Sequence, residues 1–166
     1  MSFIYPDTEE KALYTELWTV LTPVRSDSTV LEVGCGTAEV LHALCKKTGC
    51  IGVGSDPFIT EKQGNPAFYS LPAEETDRLP MDFNVIYSAK SLHHMTDIMR
   101  FFKVSLSKLV HGGRLIIADW TLGMDRGFNE TYLNPASVLQ MAMDAGFKRS
   151  EIRVRPTHML LIAEKI

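Results

Sequence analysis

Apolar residues recur along this chain at two alternating periods. Leu13, Leu17, Val20, Leu21 and Val24 fall three or four positions apart, the spacing of one helical face. Tyr14 and Trp18 flank that face, and Asp7 with Glu10 has the capping-box spacing that opens a helix. Thr29 to Val33 then forms a short, apolar, β-branched run that reads as a strand. It enters Gly34-Cys35-Gly36-Thr37, after which Val40, Leu41, Leu44 and Cys45 restore helical spacing. Lys46-Lys47 and Gly49 supply a C-terminal stop. Ile51 to Ser55 is the second strand, ending at Asp56-Pro57. Strand, glycine turn, helix and strand make a βαβ unit, which implies parallel pairing.

The alternation continues to the C-terminus. Ala67 to Leu71 and Phe83 to Ser88 read as strands. Ile98, Met99, Phe102, Leu106 and Leu109 mark an amphipathic helix stopped by Gly112-Gly113. Leu115 to Ala118 is a buried strand ending in Asp119-Trp120. Pro135 to Ala145 is a helix, with proline in its first turn and Gly146 past its end. Ile152 to Val154 and Met159 to Ala163, joined by Arg155-Pro156-Thr157, form a hairpin. The sum is an α/β fold: a three-layer, Rossmann-like sandwich around a mostly parallel seven-stranded sheet with an antiparallel C-terminal hairpin. One domain over residues 1–166 is expected, with an N-terminal helical segment (1–27) and a core (28–166).

Composition narrows the function classes. The 166 residues are 45% hydrophobic and 22% charged, as in a globular domain with a core of its own. A net charge of −3 offers no basic field for nucleic acid or anionic lipid. Three cysteines, Cys35, Cys45 and Cys50, with no CxxC pair, disfavour a disulfide framework and suit a cytoplasmic setting. No second Cys or His cluster at ligand spacing accompanies them, so no metal site is expected. Met1 to Glu10 lacks the pattern of a secretory signal, and no apolar run approaches a membrane span.

Ligands of open α/β sheets bind outside the carboxyl ends of the strands, at the switch in strand order. Glu32, the Gly34–Thr37 turn, Asp56, Ala73-Glu74, Ser88 and Asp119 occupy those ends. Gly34 and Gly36 allow close approach of a ligand to main chain, and the helix that follows presents free N–H groups. A dinucleotide fingerprint would have a small residue where Glu39 stands, and an acid there repels a pyrophosphate. Asp56, 20 positions after Gly36, can accept both hydroxyls of a ribose. An acid before the turn and an acid ending the second strand suggest a nucleoside ligand without a pyrophosphate.

These residues resemble the class I S-adenosylmethionine-dependent methyltransferases, most of all the type 11 group that includes the ubiquinone and menaquinone biosynthesis enzymes. Val30 to Thr37 resembles the family's first motif and Val53 to Pro57 its second-strand motif. Ala73-Glu74-Glu75 with Leu79-Pro80 is similar to the adenine-side segment. Phe83 to Ser88, then Leu92-His93-His94 and Asp97, resembles the fourth-strand motif, and Leu109 to Leu115 the turn before strand five. The likeness covers residues 28–166. It implies S-adenosylmethionine as cofactor and S-adenosylhomocysteine as product. Glu32 would then orient the amino-acid end of the cofactor, with the backbone of Gly34, Cys35 and Gly36, and Thr37 beside them, packed against it. Asp56 would hold the ribose, Pro57 and Phe58 would lie against the adenine, Ala73 would offer its N–H to that ring beside Glu74, and Ser88 would sit near the methionine part. Three departures stand out. Ala38 replaces the third glycine of the first motif. Pro72 stands where an acid often precedes Ala-Glu. The stretch between Asp56 and Phe68 is short for a second helix.

The reaction implied is in-line methyl transfer to a small-molecule acceptor, for which alignment does most of the work. A base is needed only where the acceptor loses a proton. His93, His94 and Asp119 are the candidates, with His158 a remote one. Trp120 suits either core packing or stacking on an acceptor, and Met141 and Met143 suit packing. Ser88-Ala89-Lys90 after the fourth strand lacks the Asn/Asp-Pro-Pro-Tyr pattern of amide and base-amino methylation. Two alternatives remain at this level: an NAD-type oxidoreductase, against which Glu39 counts, and a non-catalytic cofactor- or partner-binding module. With little chain to build a lid, a second copy or a partner chain would cover the open substrate side.

Overall fold

The computed structural model describes residues 7–166; the first six residues of the stretch tested for a secretory signal lie outside them. Asp7 caps the first helix, α1 (Thr8–Leu21), by accepting the Glu10 N–H at 2.8 Å. The reciprocal half of the expected capping box is not made, because Glu10 pairs instead with Lys90. Strand β1 (Thr29–Val33), helix α2 (Glu39–Thr48) and strand β2 (Ile51–Ser55) form the parallel βαβ unit. Strand β3 (Ala67–Tyr69) follows β2 without a helix between them, and a 3₁₀ turn (Ala73–Arg78) leads to β4 (Phe83–Ala89). A second 3₁₀ turn (Leu92–His94), α3 (Ile98–Lys108), β5 (Leu109–Trp120), α4 (Pro135–Ala145), β6 (Arg149–Val154) and β7 (His158–Glu164) complete the chain.

The sheet runs β3-β2-β1-β4-β5-β7-β6, with β7 antiparallel to both its neighbours. The order reverses between β1 and β4, so their carboxyl ends open the crevice where ligands of such sheets bind. Strand alternation assigns each side chain to a layer. Val30, Val85, Tyr87, Ile116, Ala118 and Leu160 face α1 and α2. Leu31, Ile86, Leu115, Ile117, Met159 and Leu161 face α3 and α4. The three-layer sandwich expected from the pattern is therefore present.

Two expectations are corrected. The third helix ends at Lys108, and Leu109 already opens β5. Gly112-Gly113 is not a helix stop; it lies within β5 where its register against β4 shifts between Phe83 and Val85. A Cβ on Gly113 would meet the Val110 carbonyl at 2.8 Å, so only glycine fits that irregular stretch. Met141 packs beneath α4 as expected, but Met143 is exposed on the opposite side of the same helix. The three cysteines are free and buried. No helix among the described residues is long and apolar enough to cross a membrane.

Candidate functional site

Two clefts open at the carboxyl ends of β1, β4 and β5. The larger encloses about 540 Å³, within the range of small-molecule sites. Its wall brings together Gly34, Asp56, Pro57, Phe58, Ala73 and Glu74 from three separate stretches of sequence, six of the residues expected to meet a cofactor.

The β1–α2 turn forms the floor of that cleft. Gly34 adopts φ +68°, and a Cβ there would lie 2.5 Å from Ser91 Oγ. Ser91 in turn donates to the Gly34 carbonyl at 3.1 Å. The Gly34 and Cys35 N–H groups donate to the Ser55 carbonyl, binding the turn to the end of β2. Ala38, where the third glycine was replaced, has φ +55° and closes the turn in the left-handed region. That conformation is costly for any residue with a Cβ, so the backbone of the motif survives at an energetic cost. The Asp56 carboxylate accepts the Gly36 N–H at 3.1 Å through Oδ2 and the Phe58 N–H at 2.9 Å through Oδ1. These bonds aim it across the cleft mouth. Phe58 is 94% exposed at the rim, a large apolar face with nothing of its own chain against it. Thr37 is exposed beside the turn.

Beneath the turn lies Glu32, 5% exposed. Burial pushes its carboxyl up to about 8, an effect that the Tyr87 hydroxyl and the Leu41 N–H moderate. Neither Glu32 Oε2 nor the Tyr87 hydroxyl makes a hydrogen bond to the described residues. A buried carboxyl oxygen without a partner is costly in a closed interior; Glu32 itself lines neither cleft and sits beneath the turn that floors the larger one. Burial likewise lifts the Cys35 thiol to about 12, so that side chain is a packing group against Gly54 and not a nucleophile.

Ala73 and Glu74 lie in the 3₁₀ turn over the other wall. The Glu74 carboxylate accepts the N–H groups of Thr96 (2.8 Å) and Asp97 (2.9 Å), and Arg100 Nε donates to the Glu74 carbonyl. Glu74 therefore holds the wall to the start of α3. Ser88 is fully buried inside β4, with Oγ unpartnered. Ser91 supplies the cleft surface in its stretch, reached through a left-handed turn at Lys90 (φ +55°).

The smaller cleft, about 360 Å³, is lined by charged and aromatic side chains and meets the first at His94, which lines both. Asp119 ends β5 only 1% exposed, and its carboxylate takes His93 Nδ1 at 2.8 Å and the N–H groups of His93 and Trp120. With Nδ1 committed to Asp119, His93 turns its buried Nε2 toward Glu130 at the cleft wall. Burial opposes protonation of this ring, but the hydrogen bond and charge of Asp119, with Glu130, outweigh it and raise its pKa. Nε2 itself has no hydrogen-bond partner among the described residues, although the side chain is only 3% exposed. Glu130 approaches both His93 Nε2 and His94 Nε2 at 3.4 Å and accepts the Tyr132 hydroxyl at 2.7 Å.

The far wall is clipped to α1. Arg126 pairs with Asp7 and with Glu9 (2.6 Å), and its guanidinium lies 4.4 Å over the Trp120 ring. Trp120 is buried in the core beneath, which satisfies the packing reading while one edge lines the cleft. His158 lines neither cleft; Nε2 bonds Glu16 at 2.8 Å and ties β7 to α1. Arg126, Glu130 and Tyr132 were not singled out from the sequence. Their signal is a run without either period, holding Arg126, Glu130 and two aromatics, placed directly after a strand's carboxyl end.

Comparison with known proteins agrees with this architecture. Residues 9–158 match the family model described as "Methyltransferase domain". A Synechocystis protein, 2-methyl-6-phytyl-1,4-hydroquinone methyltransferase, is 30% identical over 120 residues, covering 66% of this chain and 37% of that one. The Amycolatopsis mediterranei 27-O-demethylrifamycin SV methyltransferase is 28% identical over 137 residues, covering 69% of this chain and 49% of that one. The chain thus spans less than half the length of either relative. Haemonchus contortus phosphoethanolamine N-methyltransferase 2, solved in complex with S-adenosyl-L-methionine, superposes with a TM-score of 0.77 at 14% identity, over 93% of this chain and 52% of that one. With a seven-stranded sheet of this order and a family match across nearly its whole length, the chain belongs to the methyltransferase domain family.

Proposed function

We propose that the protein transfers a methyl group from S-adenosylmethionine to a small-molecule acceptor. The observation that carries this reading is the Asp56 carboxylate, held by the Gly36 and Phe58 amides at the mouth of a 540 Å³ cleft at the sheet's switch point. Asp56 receives the ribose hydroxyls. Pro57 and Phe58 cover one face of the adenine, and the Ala73 segment borders its edge. Glu32, with its unpartnered Oε2, meets the amino-acid end, directly or through water. The fit is chemical as well as spatial: one carboxylate oriented at the cleft mouth, one orphaned buried carboxyl and a glycine floor suit a nucleoside with a charged tail and no pyrophosphate.

The cofactor supplies an electrophilic methyl on a sulfonium. The chain supplies alignment, which recovers roughly 7–11 kcal/mol of barrier when reactants are well oriented. The acceptor enters by the smaller cleft and meets the first at His94. Asp119 fixes His93 in the wall of that cleft with Glu130 against its Nε2, and His94, 58% exposed at the junction, is the imidazole within reach of the acceptor's polar group. The relatives' acceptors, a phytyl hydroquinone and a rifamycin, support a hydroxyl-bearing organic molecule as the acceptor class. The free buried cysteines support a reducing, cytoplasmic setting. A second copy or a partner chain would cover the acceptor side.

Calorimetric titration with S-adenosylmethionine and S-adenosylhomocysteine, with NAD as control, tests the reading. Saturable binding of the two sulfur nucleosides and none of NAD is expected. No heat and no thermal shift with either would sink it.

A further inference from the structure

We propose that His93, His94 and Glu130 form a binding site for a divalent first-row transition ion on the wall of the smaller cleft. The expectation from sequence was that no metal site exists, because Glu130 lies 36 positions beyond His94 and only the return of the segment after β5 brings it back. In the folded chain the two imidazoles and the carboxylate each offer one atom, all within 4.8 Å of one another.

The distances fit a coordination shell better than hydrogen bonds. Glu130 stands 3.4 Å from Nε2 of each histidine, beyond the usual range for a charge-assisted N–H···O bond. Ligands about 2.0–2.2 Å from a tetrahedral ion are separated by about 3.3–3.5 Å along each edge. One edge of such a tetrahedron already exists between His93 Nε2 and Glu130 Oε2. His94 Nε2 stands 3.4 Å from the other carboxylate oxygen, Oε1, and at 58% exposure has room to turn and close the set on one ion.

The surroundings are those of a ligand set. His93 Nε2 is buried, unpartnered and aimed at Glu130. Its other nitrogen is committed to Asp119 at 2.8 Å, the carboxylate–histidine arrangement that fixes the tautomer and orientation of metal-binding imidazoles. Glu130 is oriented by the Tyr132 hydroxyl at 2.7 Å. The other charged groups lining the cleft do not repel a cation: Lys90 is neutralised by Glu10, and Arg126 by Asp7 and Glu9. Two imidazoles with one carboxylate suit zinc, cobalt or iron in preference to magnesium. Three protein ligands leave a fourth position open to the cleft, where an oxygen of the acceptor would fit if the cleft serves methyl transfer.

Metal uptake is measured on the full chain after chelator treatment, without cofactor, so that it stands or falls apart from methyl transfer. Cobalt(II) is the probe, read by visible absorption, and zinc is titrated in competition. One cobalt per chain with a tetrahedral spectrum, displaced by zinc and not by magnesium, is expected. His94→Ala and Glu130→Gln, both at accessible positions, each weaken binding at least about tenfold; Tyr132→Phe weakens it about tenfold through Glu130. His111→Ala, an exposed histidine elsewhere, binds like the wild type. Absence of stoichiometric uptake, or unchanged affinity in His94→Ala and Glu130→Gln with the fold intact by circular dichroism, overturns the proposal.

Discussion

The buried carboxyl of Glu32 makes stability depend on pH in a direction opposite to that of most acids. Its pKa of about 8, against an ordinary 4.5, means that folding favours the protonated form. Stability from this group is complete below pH 4.5 and is lost as pH rises through 8. At about 1.36 kcal/mol per pH unit, the full loss is roughly 5 kcal/mol. Between pH 5.5 and 8 the loss is about 3 kcal/mol, or about 6–12 °C of melting temperature for a chain of this size. Glu32→Gln keeps the shape and the acceptor facing Tyr87 and Leu41 but cannot ionise. Thermal melts of wild type and variant without ligand, at half-unit pH intervals, measure the difference, and other titrating groups cancel in the comparison. The variant gains on the wild type steadily toward alkaline pH while losing affinity for S-adenosylmethionine. Parallel pH profiles for the two proteins would refute the reasoning, since they would mean that Glu32 has the same pKa folded and unfolded.

Three further outcomes are expected. Asp56→Ala abolishes the calorimetric signal with S-adenosylmethionine while the far-ultraviolet spectrum is kept, because the side chain is only half-buried and its partners are turn amides. Ala38→Gly raises the melting temperature by a few degrees, since relief of a left-handed alanine is worth roughly 1 kcal/mol; a fall would show that glycine's entropy outweighs that strain. Arg126→Ala, or high salt on the wild type, speeds proteolysis between residues 121 and 134 and weakens acceptor binding, and an unchanged cleavage pattern would mean that the ion pairs do not hold the segment.

The frame was legible because it rests on local periods. The βαβ unit, the glycine turn and Asp56 follow from spacing alone, and strand ends mark where a ligand binds whatever the packing. The missing second helix was also readable, from a connection too short to hold one. Less legible was whatever depends on the chain's return. Leu109 kept helical spacing with Leu106, yet pairing with Phe83 claimed it for β5. Glu130 and Tyr132 carry no periodic mark, and their place beside His93 is set by the sheet order and by Arg126 reaching back to α1. The left-handed turns at Ala38 and Lys90 were invisible because neither residue advertises a positive φ.

The two clefts draw on different lengths of chain. The larger is floored by the turn after β1, braced by backbone bonds such as Gly34 to Ser55, and walled by Asp56, by the Ala73–Glu74 turn and by Ser91 to Thr96. The other side is built on the ends of β4 and β5 and on a segment fastened to α1 by side-chain ion pairs. On the proposed function, a change of length or charge between residues 121 and 134 reshapes the smaller cleft while the backbone bonds that floor the larger one stay as they are. The fold then works as a rigid tool holder with an exchangeable jaw.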